Sequence, residues 1–285
     1  MRNLPIPSDE NSDPYDPKAV FEICVSMVRN VADRKKLADI ASTIDKSSKD
    51  YDVKAAGKKL YELKVHDKVG SVSNKELIAV YSLRMAKKNA RGRPIYDRIL
   101  SAPAYRRCPY CGIGTVNTLD HFLPKAHFPS FVVAPNNLIP SCEWCQGEKG
   151  EYYSISEDLQ LLHPYFDHLP GIWLGAEVIE TTPAAFRYFS DPPATWSVTE
   201  KSRANKYIEK LNLKLLFSSN AGGRLSEIRS RLNNLHQSGG AAAVKAHLEE
   251  ELKSLEEDNP NSWSSAMYRA GIKSEWFCNG GFLPT

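Results

Sequence analysis

Apolar residues recur at helical spacing over most of the 285-residue chain, which predicts a mainly helical protein. In the N-terminal third, the pattern predicts helices over about 17–31, 33–45, 53–64, 74–89 and 95–101. Further on, three apolar stripes predict three helices, with the members Ile208, Leu211 and Leu215; Leu225, Ile228, Leu232 and Leu235; and Val244, Leu248, Leu252 and Leu255. We expect connections between these helices at 219–223 and 238–240, and a last short helix over about 261–268.

Local signals support some of these elements. The segments 73–76 and 197–200 both read Ser-x-x-Glu, which is the form of a helix capping box. An Asp followed by Pro at 16–17 predicts the start of the first helix. The segments 152–155 and 176–180 are predicted to be short strands or extended segments.

The middle of the chain interrupts the helical pattern. Residues 103–150 hold cysteine pairs, glycines and prolines without a long amphipathic period, which is typical of a small module organised by a metal. We therefore predict three regions: a helical N-terminal region over 1–102 with a basic surface, a module over 103–168, and a helical C-terminal region over 169–285.

The net charge is only +3, but it is unevenly distributed. Residues 1–100 carry 20 Lys or Arg against 14 Asp or Glu, a net of +6, and the rest of the chain carries 17 against 20, a net of −3. A basic first third could supply contacts to phosphates, or it could be an ordinary solvated helix surface. No run of about 18 apolar residues and no secretory signal are visible, so we expect a cytoplasmic protein without a membrane span.

Four of the six cysteines form two Cys-x-x-Cys pairs, which predict a structural zinc site. The ligands would be Cys108, Cys111, Cys142 and Cys145. Four thiolates complete a closed tetrahedral site with no open position for water. The alternative is two unrelated pairs of reduced thiols, and the two remaining cysteines are expected to be buried core residues.

Between the two pairs lies an Asp-His dipeptide, Asp120-His121, in a segment that favours a strand. A neutral imidazole can accept a proton from water near neutral pH, and a carboxylate oxygen is a ligand that Mg²⁺ prefers. Phosphodiester hydrolysis needs both an activated water and a cation. Basic residues nearby could bind phosphates, namely Lys125, Lys149, Arg106 and Arg107, although the two arginines could equally be solvated.

These residues resemble the HNH endonuclease family, which has the ββα-metal or His-Me finger fold. The resemblance rests on the two cysteine pairs, on Asp120-His121, on Asn137-Leu138, and on Gln146 and Lys149 after the second pair. It implies a mainly α protein with a small zinc-stabilised ββα-metal module.

The resemblance also implies a role for each matching residue. His121 would be the general base, Asp120 would bind a catalytic Mg²⁺ or Mn²⁺, and Asn137 would hold the loop that orients His121. Gln146 would be the second ligand of that ion. The family usually has Asn or His at this position, so Gln146 is a departure that bears on the choice of metal and on full activity.

Beyond this module, the chain further resembles the HNH nuclease subunits of Septu-type and retron-associated anti-phage defence systems. This resemblance rests on helical flanking regions, on Tyr96-Asp97 shortly before the first cysteine pair, and on the run Leu119-Asp-His-Phe-Leu-Pro-Lys125. This implies an effector nuclease that cuts DNA, with RNA as an alternative substrate, beside an ABC/SMC-like ATPase subunit. No Walker-type phosphate loop is visible in this chain, so the ATPase would be a separate protein. The competing interpretation is a zinc-stabilised, non-catalytic adaptor that recruits a protein or nucleic acid.

Overall fold

The computed structural model describes residues 1–283, and the chain divides into two compact units, residues 2–168 and the part from residue 169 onward. The expected N-terminal region and the expected module lie together in the first unit, so their separation into two domains stays a prediction. Within the described residues, no helix is both long enough and apolar enough to cross a membrane.

The first unit is built mainly from six helices. They are α1 Pro17–Val25, α2 Val31–Asp39, α3 Ala41–Ala56, α4 Asn74–Val80, α5 Arg93–Ser101 and α6 Glu143–Lys149. A π-helical turn, Tyr81–Met85, extends α4. The core contains the inward faces of α1 and α3, including Phe21, Cys24 and Tyr51, so the prediction that Cys24 is buried is confirmed.

Two short antiparallel strand pairs complete this unit. The pair β1 Lys68–Val69 and β2 Val72–Ser73 precedes α4. The pair β3 Thr118–His121 and β4 Leu138–Ser141 precedes α6. The strand predicted around Asp120-His121 is therefore confirmed.

The second unit is built around a hairpin and three helices. Its elements are β5 Leu174–Ile179, β6 Ala185–Ser190, α7 Val198–Lys210, α8 Leu213–Asp258 and α9 Trp263–Lys273. Helix α8 packs on β6 and α9. Both predicted capping boxes are present, at the start of α4 and at the start of α7.

Several predicted boundaries are wrong. The connection expected at 219–223 is helical, because Phe217, Ala221 and Leu225 bury one face of α8 and this packing outweighs the low helix propensity of two glycines. At the second expected connection, 238–240, only Gly240 departs from helical geometry, with φ 63° and ψ −157°, so α8 is kinked there. The helix expected over 53–64 is instead the end of α3 and a short 3₁₀ turn, and 152–155 forms no strand.

Candidate metal centre and candidate active site

The four cysteines of the two pairs converge on one buried point. Their sulfur atoms all lie within 4.8 Å of one another. The first pair sits on a tight turn, in which the Gly112 N–H donates to the Cys108 carbonyl at 2.7 Å and Gly112 adopts φ 73°. The second pair sits at the start of α6, with Cys142 as the N-cap.

The cysteine cluster fits a zinc ion. Sulfur atoms at the corners of a zinc tetrahedron lie about 3.8 Å apart when each Zn–S bond is about 2.3 Å, and Cys111 Sγ lies 3.8 Å from Cys142 Sγ. The backbone N–H groups of Ile113 and Gly114 donate to Cys111 Sγ, both at 3.4 Å. Among residues 1–283, no other cluster of His, Cys, Asp and Glu meets the geometry of a metal site.

The strand pair beside this cluster determines where the Asp-His dipeptide lies. In the antiparallel register, His121 pairs with Leu138 and Asp120 pairs with Ile139. Asn137 is thereby brought next to the end of β3, although it is distant from it in sequence. Helix α6 begins two residues after β4, so the order of elements is strand, loop, strand and helix.

His121 is buried and has a defined tautomer. Its Nε2 lies 2.9 Å from the carbonyl oxygen of Val132. Since a carbonyl can only accept, Nε2 must carry the proton and Nδ1 must carry the lone pair. The edge of the ring packs against Tyr81, with ring centroids 4.5 Å apart. Burial lowers the pKa of His121 to about 3, so its imidazole is neutral near neutral pH.

Asp120 is 5% exposed, and its carboxylate has two side-chain partners. The Lys149 Nζ lies 3.1 Å from Oδ2, and the Tyr110 hydroxyl donates to the same oxygen at 3.1 Å. Lys149 also donates to the backbone carbonyl of His121 at 2.7 Å. Burial raises the pKa of Asp120, and the Lys149 ammonium opposes that rise.

In this arrangement Lys149 competes with a divalent ion for the Asp120 carboxylate. The Lys149 ammonium occupies the polar side of the carboxylate, lying 3.5 Å from Oδ1 as well as close to Oδ2. Gln146, the other expected ligand, is half-buried in the middle of α6. A Mg²⁺ or Mn²⁺ ion could use the Asp120 carboxylate only if Lys149 moved away from it.

Asn137 is fully buried and fastens the loop between β3 and β4. Its Oδ1 accepts from the Leu123 N–H at 2.7 Å. Its Nδ2 donates to the carbonyls of Leu123 and Phe131, both at 3.1 Å. The loop held in this way contains Val132, whose carbonyl is the partner of His121.

The basic residues predicted to bind phosphate are not equivalent. Lys149 is 1% exposed and faces Asp120, so it would have to leave its partners to reach a phosphate. Lys125 is half-buried, with its Nζ 5.0 Å from the ring centroid of Tyr81. Arg106 and Arg107 are exposed and donate to the carbonyls of Val116 and Ile113 respectively.

Some residues of the site carried no recognisable signal in the sequence. Tyr81 and Tyr110 look like ordinary aromatic residues until the fold brings them to His121 and Asp120. Within the first unit, the ring of His163 packs on the ring of Phe122, with ring centroids 4.2 Å apart, and its Nε2 lies 3.0 Å from the Tyr51 hydroxyl oxygen.

In its described part, then, the protein is mainly helical, with three small two-stranded sheets and a buried four-cysteine cluster that could bind zinc. It is 34% identical to the protein ea31 of Escherichia phage lambda over 227 residues, which cover 74% of this chain and 76% of ea31. The chain therefore belongs to the ea31 family.

A second relative matches a shorter part of the chain. The Septu protein PtuB of Bacillus thuringiensis is 34% identical over 73 residues, or 24% of this chain and 28% of PtuB. No family model matches the sequence, and no solved structure matches it. Similarity to a phage protein and to a Septu protein suggests a phage-related or defence role.

Replacing Asn137 with alanine should strongly destabilise the first unit. The substitution leaves one buried N–H and two buried carbonyls without their partner, so we expect the free energy of unfolding to fall by about 3 kcal/mol or more. Urea unfolding of the full chain measures this. The control is Asn117→Ala, because Asn117 is exposed and should change stability by less than about 0.5 kcal/mol. Equal unfolding midpoints for the two variants would contradict the role given to Asn137.

Gly114→Ala should damage the cysteine cluster. A Cβ on Gly114 would lie 2.5 Å from the Cβ of Cys142 and 2.6 Å from its Sγ, so the second pair must shift. We expect a lower zinc content by elemental analysis and a lower melting temperature. Gly147→Ala is the matched control, since its new methyl group meets no atom within 4 Å. The cysteine assignment fails if both variants retain one zinc per chain at the wild-type melting temperature.

Proposed function

We propose that this protein is an HNH endonuclease that hydrolyses phosphodiester bonds of DNA, with RNA as an alternative substrate. The observation that carries the proposal is the setting of His121. This residue ends a strand beside the four-cysteine cluster, its tautomer is defined by the Val132 carbonyl, and its loop is fastened by Asn137. The succession of β3, β4 and α6 around it supports the expected ββα-metal module.

In the proposed reaction, His121 is the general base. Its Nδ1 lone pair takes a proton from the attacking water, and the imidazolium formed keeps its Nε2–H bond to the Val132 carbonyl. That carbonyl would stabilise the new charge, because a hydrogen bond from a charged donor is stronger than one from a neutral donor. Asn137 acts as a positioning residue through the loop that it holds.

The proposed reaction also needs a cation at the phosphate. A Mg²⁺ or Mn²⁺ ion on Asp120 and Gln146 remains part of the proposal, but Lys149 stands against the carboxylate in the described arrangement. We therefore assign no step of the reaction to that ion. Lys125, Arg106 and Arg107 remain proposed phosphate contacts, as does Lys149 if it leaves Asp120.

The biological setting is proposed from the relatives. We infer a cytoplasmic effector nuclease of an anti-phage defence system, because one matching relative is named a Septu protein. The resemblance to Septu-type and retron-associated nuclease subunits further favours a separate ABC/SMC-like ATPase as partner. The match to PtuB spans 24% of this chain, so these features rest on the part of the sequence that matches.

A zinc-stabilised adaptor without catalytic activity is the second candidate function. It is favoured by two observations on the same site. The Asp120 carboxylate is paired with Lys149 and Tyr110. Gln146 also stands where HNH endonucleases usually have Asn or His. An adaptor would keep the cysteine cluster and the fold but would not need the His121 lone pair.

The proposal predicts that His121→Ala lowers plasmid cleavage in the presence of Mg²⁺ or Mn²⁺ by about 10²–10⁴-fold, the usual contribution of a general base. The assay compares wild type, His121→Ala and the control His247→Ala, which alters a half-buried histidine on α8. Zinc content and melting temperature show whether each variant is folded. Cleavage by His121→Ala at the wild-type rate would refute the assignment of the base, and a wild-type protein that cuts neither DNA nor RNA would favour the adaptor.

A further inference from the structure

A basic cavity lies in the first unit, beside the end of α1. It has a volume of about 820 Å³ and is bounded by α1, the π-helical turn, the following loop and the start of α5. Four cations line it, namely Arg29, Arg84, Lys87 and Arg91, and none of its described lining residues is acidic. Within residues 1–283, none of these four cations forms an ion pair.

The same cavity also exposes aliphatic side chains. Met27 is 63% exposed, Leu83 is 51% exposed and Ile23 is 38% exposed. Single exposed apolar residues are ordinary on a protein surface, but these three lie together among unpaired cations. An occupant that fits must therefore offer both negative charge and apolar groups.

The walls of the cavity are held in place by the backbone. The Gly92 N–H donates to the Arg84 carbonyl at 3.0 Å, which closes the loop that carries Lys87 and Arg91. A Cβ on Gly92 would lie 2.7 Å from Cys24 Sγ, so this loop packs directly on α1. A preformed site loses less conformational entropy on binding than a flexible one.

We propose that this cavity binds an acidic, amphipathic peptide segment of a protein partner. The aliphatic side chains of the bound peptide would pack on Met27 and Leu83, and the carboxylates of the peptide would pair with the cations that line the cavity. The proposal concerns binding alone and does not depend on the proposed nuclease function. Any protein with such a segment qualifies chemically.

The lining argues against nucleic acid as the occupant. Among the described lining residues there is no aromatic ring, whereas sites for single strands usually stack bases on aromatic side chains. A duplex presents phosphates on a polar surface and offers no aliphatic group for Met27 or Leu83. A lone phosphate would leave most of an 820 Å³ cavity unfilled.

The π-helical turn Tyr81–Met85 connects the cavity with the candidate active site. Leu83 and Arg84 line the cavity from the same π-helical turn that carries Tyr81, and the Tyr81 ring contacts the ring of His121. π-helical turns are frequent at functional sites. A segment bound in the cavity would thus contact the element that supports His121.

The test is selection of random 12-residue peptides on the full-length protein, followed by fluorescence anisotropy with the enriched peptides. We expect the enriched peptides to combine Asp or Glu with Leu, Ile, Met or Phe. Lys87→Glu should weaken their binding about fivefold or more, since it turns an attraction into a repulsion, and added salt should weaken it further. The control Lys46→Glu reverses the charge of an exposed lysine on α3 outside the cavity and should change binding less than twofold.

A second pair of variants tests the apolar contact. Met27→Gln should weaken binding of the enriched peptides, whereas Val53→Gln, at an exposed apolar residue outside the cavity, should not. The proposal is overturned if no acidic and apolar peptide is enriched, or if Lys87→Glu and Lys46→Glu have equal effects. It is also overturned if a 20-base-pair duplex, and not the peptides, loses affinity in Lys87→Glu. Light scattering that shows a dimer lost in Lys87→Glu would instead identify a second copy of this chain as the occupant.

Discussion

The convergence of four cysteines is the constraint on which the candidate site depends. The two pairs are separated by 30 residues, and each strand between them has only four residues. When Cys108 and Cys111 meet Cys142 and Cys145, the ends of that segment are brought together. The same segment contains the β3–β4 pair, whose register and the bond from the Phe122 N–H to the Asn137 carbonyl place Asn137 beside the end of β3.

A network of buried polar side chains then limits the arrangements that this small module can adopt. Lys149 joins α6 to β3 through Asp120 and the His121 carbonyl, and Asn137 joins both sides of the intervening loop. Buried polar groups of this kind are costly unless all of them are paired, so the network allows few alternative arrangements. The same network leaves the Asp120 carboxylate paired with the Lys149 ammonium.

Sequence reasoning found the parts of the structure that rest on local or short-range chemistry. The capping boxes, the strand at Asp120 and the grouping of the cysteines depend on neighbours or on recognisable spacing. It was wrong where tertiary packing outweighs propensity, as in the glycine-containing helix around Ala221. It also could not tell that Lys149 is buried, because a lysine near a helix end is normally solvated and only the fold supplies its partners.

We propose that a metal ion bound by the four cysteines organises the candidate site. Zinc K-edge X-ray absorption on the full-length protein, purified without added chelator, tests it most directly. We expect about one zinc per chain, with a single shell of four sulfur atoms at about 2.3 Å. A shell containing nitrogen or oxygen ligands, or a folded protein without bound metal, would contradict it.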